Sequence, residues 1–150
     1  MPEVRKRVLY CSILLILVAV VRFTLGLTYF LKAEPMPYHI EYIGMSLEEV
    51  GQFNPKLADF MCKSMRASGI GLMALGVFLF AVAAVPFRRA ERWAWIAVFV
   101  AVFLPLLGIL QTSLSIGGGI RWIMLGQLAL FLIAMLVPIK DFFGSRVEGR

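Results

Sequence analysis

The chain has 150 residues, of which 61% are hydrophobic and 16% are charged, and its mean hydropathy is +0.87. This composition excludes a water-soluble globular domain, because a chain of this size with so few charged residues needs a lipid bilayer as its solvent. The formal net charge of +6 does not indicate nucleic-acid binding. The basic residues adjoin apolar runs, where they favour contact with anionic lipid headgroups.

Four apolar runs predict the fold. They cover residues 8–31, 65–87, 92–113 and 120–138, each close to the roughly 20 residues that a helix needs to cross about 30 Å of hydrocarbon. The connections after the second and third runs are short, so consecutive helices must pack side by side. We therefore predict one all-α domain over residues 1–150, an integral membrane antiparallel four-helix bundle with an outer loop at residues 32–64.

The first run follows the basic segment MPEVRKR and resembles a signal peptide at its start. A cleaved signal peptide would end in a small-x-small site, and the apolar core reaches Arg22 without one. We therefore expect this run to stay in the protein as the first membrane span.

Arg22 is the residue that least fits an apolar span. It lies fourteen residues after Val8, roughly 21 Å along a helix, and none of the four spans contains an acidic residue. The predicted polar partners are Gln127, Gln111 and the carbonyl that Pro105 leaves without its helical donor. Two readings stay open: Arg22 binds an anionic or carbonyl-bearing ligand, or its side chain snorkels toward lipid phosphates.

The outer loop carries its own helix signals. Ser46 and Glu49 have the spacing of a capping box, which predicts a short amphipathic helix from residue 47. Asn54 followed by Pro55 is a second start signal, because proline suits the first turn of a helix. We expect a helix that begins at Pro55 and continues into the second span, with a bend around residues 69–71.

His39 is the single histidine and also lies in the outer loop. Its spacing from Glu41 favours an extended, strand-like piece with the two side chains on the same side. A metal site would need further converging ligands, so we expect an interfacial histidine and no metal site. No serine or cysteine has an evident base beside it, so we assign no catalytic residue and no cofactor.

Small residues in the second span predict a close helix contact. Ala67, Gly71, Ala74 and Ala81 form one face, and Gly69 and Gly76 lie on an adjacent face. Small residues let backbones approach closely in a membrane. The first face is therefore the expected packing surface, and a homodimer through the same surface remains an alternative.

Basic residues are distributed unequally when the N-terminus is placed in the cytoplasm. Nine lie on the inner side and five on the outer side. The inner set is Arg5, Lys6, Arg7, Arg88, Arg89, Arg92, Lys140, Arg146 and Arg150; the outer set is Lys32, Lys56, Lys63, Arg66 and Arg121. The positive-inside rule then predicts that both termini are cytoplasmic.

Arg66 and Arg121 lie near the predicted outer boundary. We expect each to be an interfacial anchor, and the case for an anionic ligand is stronger if both open onto one vestibule with Arg22. The candidate ligand-binding set is therefore Arg22, Gln127, Gln111, Arg66 and Arg121.

A resemblance covers most of the chain. Asn54, Pro55, Arg66, the glycines at 69–76 and the segment RRAERWAW at 88–95 resemble small four-helix membrane proteins of prokaryotes, broadly the DoxX-like group. This resemblance implies a four-helix bundle in a prokaryotic plasma membrane. It supplies no catalytic residue that matches position by position.

Three functional classes remain open. The first is a non-enzymatic membrane protein, an accessory subunit or a binder of an amphipathic molecule such as a lipid or quinone. The second is a membrane enzyme at an outer pocket, with Arg22 as a clamp and a loop acid or His39 as proton donor. The third is a transporter, which four helices form only as an oligomer. The expected partners are membrane lipids, with a homo-oligomer or a larger membrane complex possible.

Overall fold

The computed structural model of the chain describes residues 3–117 and 119–144. Its helices are α1 (Glu3–Lys32), α2 (Pro37–Ile43), α3 (Leu47–Phe53), α4 (Pro55–Ala84), α5 (Arg92–Ile116), α6 (Ile120–Leu136) and α7 (Ile139–Phe143), with a 3₁₀ turn at Phe87–Arg89. The described residues contain no strand, which confirms the all-α prediction.

Four segments are long and apolar enough to cross a membrane. They are Lys6–Lys32, Pro55–Arg89, Arg92–Ile116 and Arg121–Phe143. Each overlaps one predicted span, and together they indicate a small multi-pass membrane protein.

The capping signals of the loop are confirmed at atomic detail. The Ser46 hydroxyl accepts a hydrogen bond from the Glu49 amide at 3.2 Å, and the Glu49 carboxylate accepts one from the Ser46 amide at 2.7 Å. The Asn54 side chain accepts hydrogen bonds from the amides of Lys56 and Leu57. Because these donors have no partner within the helix, their capping stabilises the starts of α3 and α4. As predicted, α4 begins at Pro55 and continues through the second apolar run.

The prediction of an extended piece around His39 is wrong. His39 and Glu41 lie in α2, which has Pro37 in its first turn and Gly44 after its last residue, in the left-handed region at φ 72°. Proline and glycine at these two ends are helix start and stop signals. They determine the local structure here and override the alternating pattern of the side chains.

The closest helix contact joins α1 to α4 through glycines. A Cβ atom on Gly69 would lie 2.6 Å from the Gly26 carbonyl oxygen, and one on Gly26 would lie 2.7 Å from the Gly69 carbonyl oxygen. A Cβ atom on Gly76 would lie 2.9 Å from the Ala19 oxygen. The Ser12 hydroxyl also donates a 2.6 Å hydrogen bond to the Ala83 carbonyl. The two backbones are therefore in direct contact over several turns.

The predicted packing face on α4 is wrong. Its four residues, Ala67, Gly71, Ala74 and Ala81, are exposed, whereas Gly69 and Gly76 on the adjacent face are buried. The physical reason is that only glycine allows main-chain atoms to approach this closely, so the two glycines meet α1 and the alanine-rich face turns away.

Aromatic rings and two side-chain hydrogen bonds join α5 to α6 and α7. The indole of Trp95 donates to the Met135 carbonyl at 2.9 Å, and Arg92 Nε donates to the Phe142 carbonyl at 3.1 Å. Trp95 and Phe99 stack with 5.2 Å between ring centroids. Together with buried residues of α1 and α4, these groups form the apolar core at the end of the molecule where α5 begins.

The glycine contact predicts that Gly69→Ala destabilises the fold and that Gly71→Ala does not. The added methyl group at residue 69 meets backbone atoms that cannot yield, which costs about 1–3 kcal/mol. The same change at residue 71 meets open space and gains up to about 1 kcal/mol of helix propensity. Thermal unfolding in a mild detergent measures both. Equal midpoints for the two variants would contradict the contact.

Candidate functional site

A cavity of about 630 Å³ lies among α1, α2, α4, α5 and α6. It occupies the end of the molecule opposite the aromatic core. Its apolar wall includes Leu25, Met65, Leu72, Leu75, Pro105, Ile109, Ile116 and Met124, and its polar side chains are Arg22, Tyr29, Tyr38, His39, Ser68, Thr112, Ser113 and Gln127. A cavity of this size, mostly apolar with a few polar groups, is typical of small-molecule sites.

Arg22 is the residue that sets this cavity apart. Its side chain is only 2% exposed, and its Nε and Nη2 atoms are sealed from solvent without a hydrogen-bond partner among the described residues. Among the described residues, the ion pairs join Lys63 to Asp59 and Arg89 to Glu91, and neither pair includes Arg22. A buried donor without a partner costs about 1–3 kcal/mol, and more when it is charged.

The cavity is electrically positive. Among the described residues, no aspartate or glutamate lines it, and Arg22 carries the only formal charge on its wall when His39 is neutral. Burial lowers the pKa of His39 from its ordinary value of 6.5, so the imidazole is neutral at pH 7. The field within the cavity therefore favours electron-rich groups.

Two tyrosines and His39 connect α2 to the cavity wall. The hydroxyl groups of Tyr29 and Tyr38 are hydrogen-bonded to each other. The Tyr38 ring lies 4.2 Å from the His39 ring, centroid to centroid, and His39 Nδ1 accepts a 3.1 Å hydrogen bond from the Met36 amide. Helix α2 is thereby fixed as part of the wall, with polar groups on its cavity side.

The predicted site residues separate into two groups. Arg22 and Gln127 line the cavity together, and Pro105 lines it within an unbroken α5. Gln111, Arg66 and Arg121 are exposed and do not line it. The Arg121 guanidinium instead lies over the Trp122 ring at 5.3 Å. Helix rotation decides this division, since Met65 and Thr112, immediate neighbours of Arg66 and Gln111, do face the cavity.

Tyr29 and Tyr38 were not predicted as site residues, although both line the cavity. A signal for Tyr29 was present, because it follows Arg22 by seven residues and Leu25 by four, a spacing that places all three on one face of α1. For Tyr38, the signals Pro37 and Gly44 mark the ends of α2, but they do not specify that the Tyr38 side chain faces the cavity.

The described residues contain no group of three or more histidine, cysteine, aspartate or glutamate side chains that would hold a metal ion. His39 is close to two tyrosine rings, which are poor ligands while they remain protonated. Its clearest role in the structure is to cap α2.

Comparison with known proteins adds no relative: no family model, curated protein or solved structure matches the chain. The class of protein is therefore defined by fold and site alone. It is a small multi-pass membrane protein with a partly apolar cavity that contains a buried arginine.

The His39 contact predicts that α2 loosens as the pH falls. The folded-state pKa of His39 lies below 6.5, so the unfolded segment binds the proton more readily, and α2 loses stability as the pH falls below about 6.5. Protonated Nδ1 also cannot accept the Met36 hydrogen bond. Amide exchange in residues 39–44, corrected for intrinsic rates, should be faster at pH 5.5 than at pH 7.5. His39→Gln keeps an acceptor that does not titrate; an unchanged pH dependence in this variant would refute the assignment.

Proposed function

We propose that this protein is a non-enzymatic small membrane protein that binds an amphipathic molecule, such as a lipid or quinone, in the cavity lined by Arg22. The observation that carries the proposal is the buried guanidinium without a partner. Binding would make the protein an accessory subunit or a carrier site within the membrane.

The free-energy cost of burying a charge favours a ligand in this cavity. An unpaired ion inside a protein costs several kcal/mol after relaxation, and neighbouring groups must normally compensate it. Gln127 and the hydroxyl groups of the wall are neutral, so they do not supply a counter-charge. A ligand with an oxygen acceptor would satisfy the free donors and lower the free energy of the occupied state.

The snorkelling alternative requires a different position for Arg22. A snorkelling side chain extends along the lipid-facing surface until its charged end reaches water or phosphates. The Arg22 side chain is 2% exposed and lines the cavity between the helices. Its burial therefore supports the ligand reading.

The composition of the wall supports an amphipathic ligand. Leucine, isoleucine and methionine side chains from α1, α4, α5 and α6 surround the space. The polar groups are Arg22, Gln127, the side chains of α2 and Tyr29, and three hydroxyl groups on α4 and α5. A wholly polar solute would make no apolar contacts with these side chains. A molecule with a polar head and an apolar body matches both parts.

We further propose that the helices form an antiparallel four-helix bundle inserted in the plasma membrane of a prokaryote. Antiparallel packing of α1 and α4 is supported by the pairs Ser12–Ala83 and Gly26–Gly69, in which one number rises as the other falls. Four helices of spanning length also agree with membership of the DoxX-like group, which is part of this proposal.

The charge distribution supports cytoplasmic termini, which would place α2 and α3 on the outer side. Cys62, partly exposed near the start of α4, provides a direct test. An impermeant thiol reagent should label it from outside intact cells. Labelling only after the cytoplasmic side is opened would reverse the orientation.

A second candidate function is a membrane enzyme that acts on a lipid or quinone at the same cavity. One observation favours it: His39, a possible proton donor, lines the cavity together with Arg22. The alternative proton donor, an acid of the outer loop, does not line the cavity among the described residues. Binding therefore remains the function that the geometry supports best.

The proposal predicts that Arg22→Leu loses a co-purifying amphiphile without losing the fold. Removing an uncompensated buried charge should leave the thermal midpoint unchanged or raise it, because the desolvation cost disappears. Native mass spectrometry measures the bound molecule after gentle extraction. Arg66→Leu is the matched control, an exposed arginine outside the cavity, and should retain it. Equal amphiphile content in both variants would contradict the proposal.

A further inference from the structure

We infer that the ligand of this cavity is a monoanionic amphiphile, a single negative charge on an apolar body, rather than a neutral molecule such as a quinone. The inference rests on the proposed binding function and specifies the chemical class of the ligand. It follows from the charges of the cavity wall and from which atoms of Arg22 lack partners.

The charges of the cavity wall favour a ligand with one negative charge. Arg22 contributes +1, and the described lining residues contain no carboxylate to balance it. His39 is neutral in this arrangement, because Nδ1 must keep its lone pair to accept the hydrogen bond from the Met36 amide. A neutral head would leave the positive charge unpaired, and a doubly charged head would leave a buried negative charge in excess. A monoanion makes the occupied cavity neutral.

The unpartnered atoms of Arg22 indicate the shape of the anion. Nε and Nη2, both without a hydrogen-bond acceptor, lie next to each other along one edge of the planar guanidinium. Their N–H bonds run parallel and match two oxygens of one planar or tetrahedral anion. A carboxylate or a phosphodiester presents such a pair of oxygens, whereas a quinone presents single carbonyl oxygens on opposite sides of its ring. Because Nε and Nη2 are closed to solvent in this structure, pairing with an anion requires the Arg22 side chain to turn toward the space that it lines.

Further donors on the wall also suit an anion. Two tyrosine hydroxyls that share one hydrogen bond leave one hydroxyl hydrogen free, so the Tyr29–Tyr38 pair retains a donor. The amide of Gln127 supplies two more N–H donors in the same cavity. No acidic side chain on the described wall competes with an anion for these donors.

The volume favours one chain of modest size. About 630 Å³ lies within the range of sites that enclose one small molecule. Two sources of the same head chemistry fit: the carboxylate of a single-chain fatty acid, or the phosphodiester of a phospholipid whose remaining chain stays in the bilayer. The shared chemistry is one negative charge shared by two oxygens.

The test compares chain-matched ligands on the delipidated full-length protein in an uncharged detergent. Oleate, oleyl alcohol, dioleoyl phosphatidylglycerol and decylubiquinone are titrated, and binding is measured by native mass spectrometry. Oleate should bind the wild-type protein about 10- to 100-fold more tightly than oleyl alcohol, because the alcohol lacks the charged hydrogen bonds. A preference for oleate or for the phospholipid supports the inference and shows whether the head is a carboxylate or a phosphodiester.

Variants assign the preference to Arg22. Arg22→Gln should bind oleate no more tightly than oleyl alcohol. Arg66→Gln should keep the preference for oleate. Arg66 is exposed, so this variant is the control for unspecific attraction of anions. Arg22→Lys keeps the charge but not the paired donors, so this variant should still prefer oleate over oleyl alcohol, by a smaller factor. It replaces Arg22→Gln in the test if that variant does not fold.

The failure of this inference differs from the failure of the proposed function. If oleyl alcohol or decylubiquinone binds the wild-type protein as tightly as oleate, and Arg22→Gln weakens that binding, the cavity is a binding site but the anionic ligand is refuted. If none of the four ligands binds the wild-type protein more tightly than it binds Arg22→Gln, the proposed function itself is refuted.

Discussion

A positive charge that is buried without a counter-charge is the constraint on which this account depends. An arginine keeps its proton in proteins, so Arg22 cannot relieve the cost of burial by becoming neutral. The fold places it 2% exposed in a wall of mostly apolar side chains, with two of its nitrogens unsatisfied among the described residues. Proteins keep such a group in a membrane segment chiefly where it performs a function.

The two ends of the molecule differ in packing. At one end, residues 8–19 of α1 and residues 79–83 of α4 pack with aromatic residues of α5 and α6 into a dense core. At the other end, the helices leave the cavity, and α2 closes part of its wall with Tyr38 and His39. The glycine contact between α1 and α4 lies beside the cavity and holds the backbone of α1, which carries Arg22, directly against α4. A rigid scaffold thus positions a polar group that the apolar core would exclude.

Part of the fold and part of the candidate site could be predicted from the sequence, and the physical reason differs from one feature to the next. Hydropathy determines the four long segments, and local capping chemistry determines the starts at Leu47 and Pro55. Arg22 and Gln127 could be predicted as neighbours because they lie at similar depths in the first and fourth predicted membrane spans. Depth does not specify rotation, which explains why Gln111 lies outside the cavity while its neighbour Thr112 lies within it. Tyr38 and His39 depend on a tertiary contact of a seven-residue helix, for which no periodic pattern exists.

The most direct test of the central claim is an experimental density map of the protein purified with its native lipids in nanodiscs. A bound ligand should give an elongated density in the cavity, with an oxygen-bearing end about 3 Å from the Arg22 guanidinium. A carboxylate of Glu34 or Asp59 folded against the guanidinium would contradict it. So would an Arg22 side chain that extends out of the cavity to the lipid headgroups.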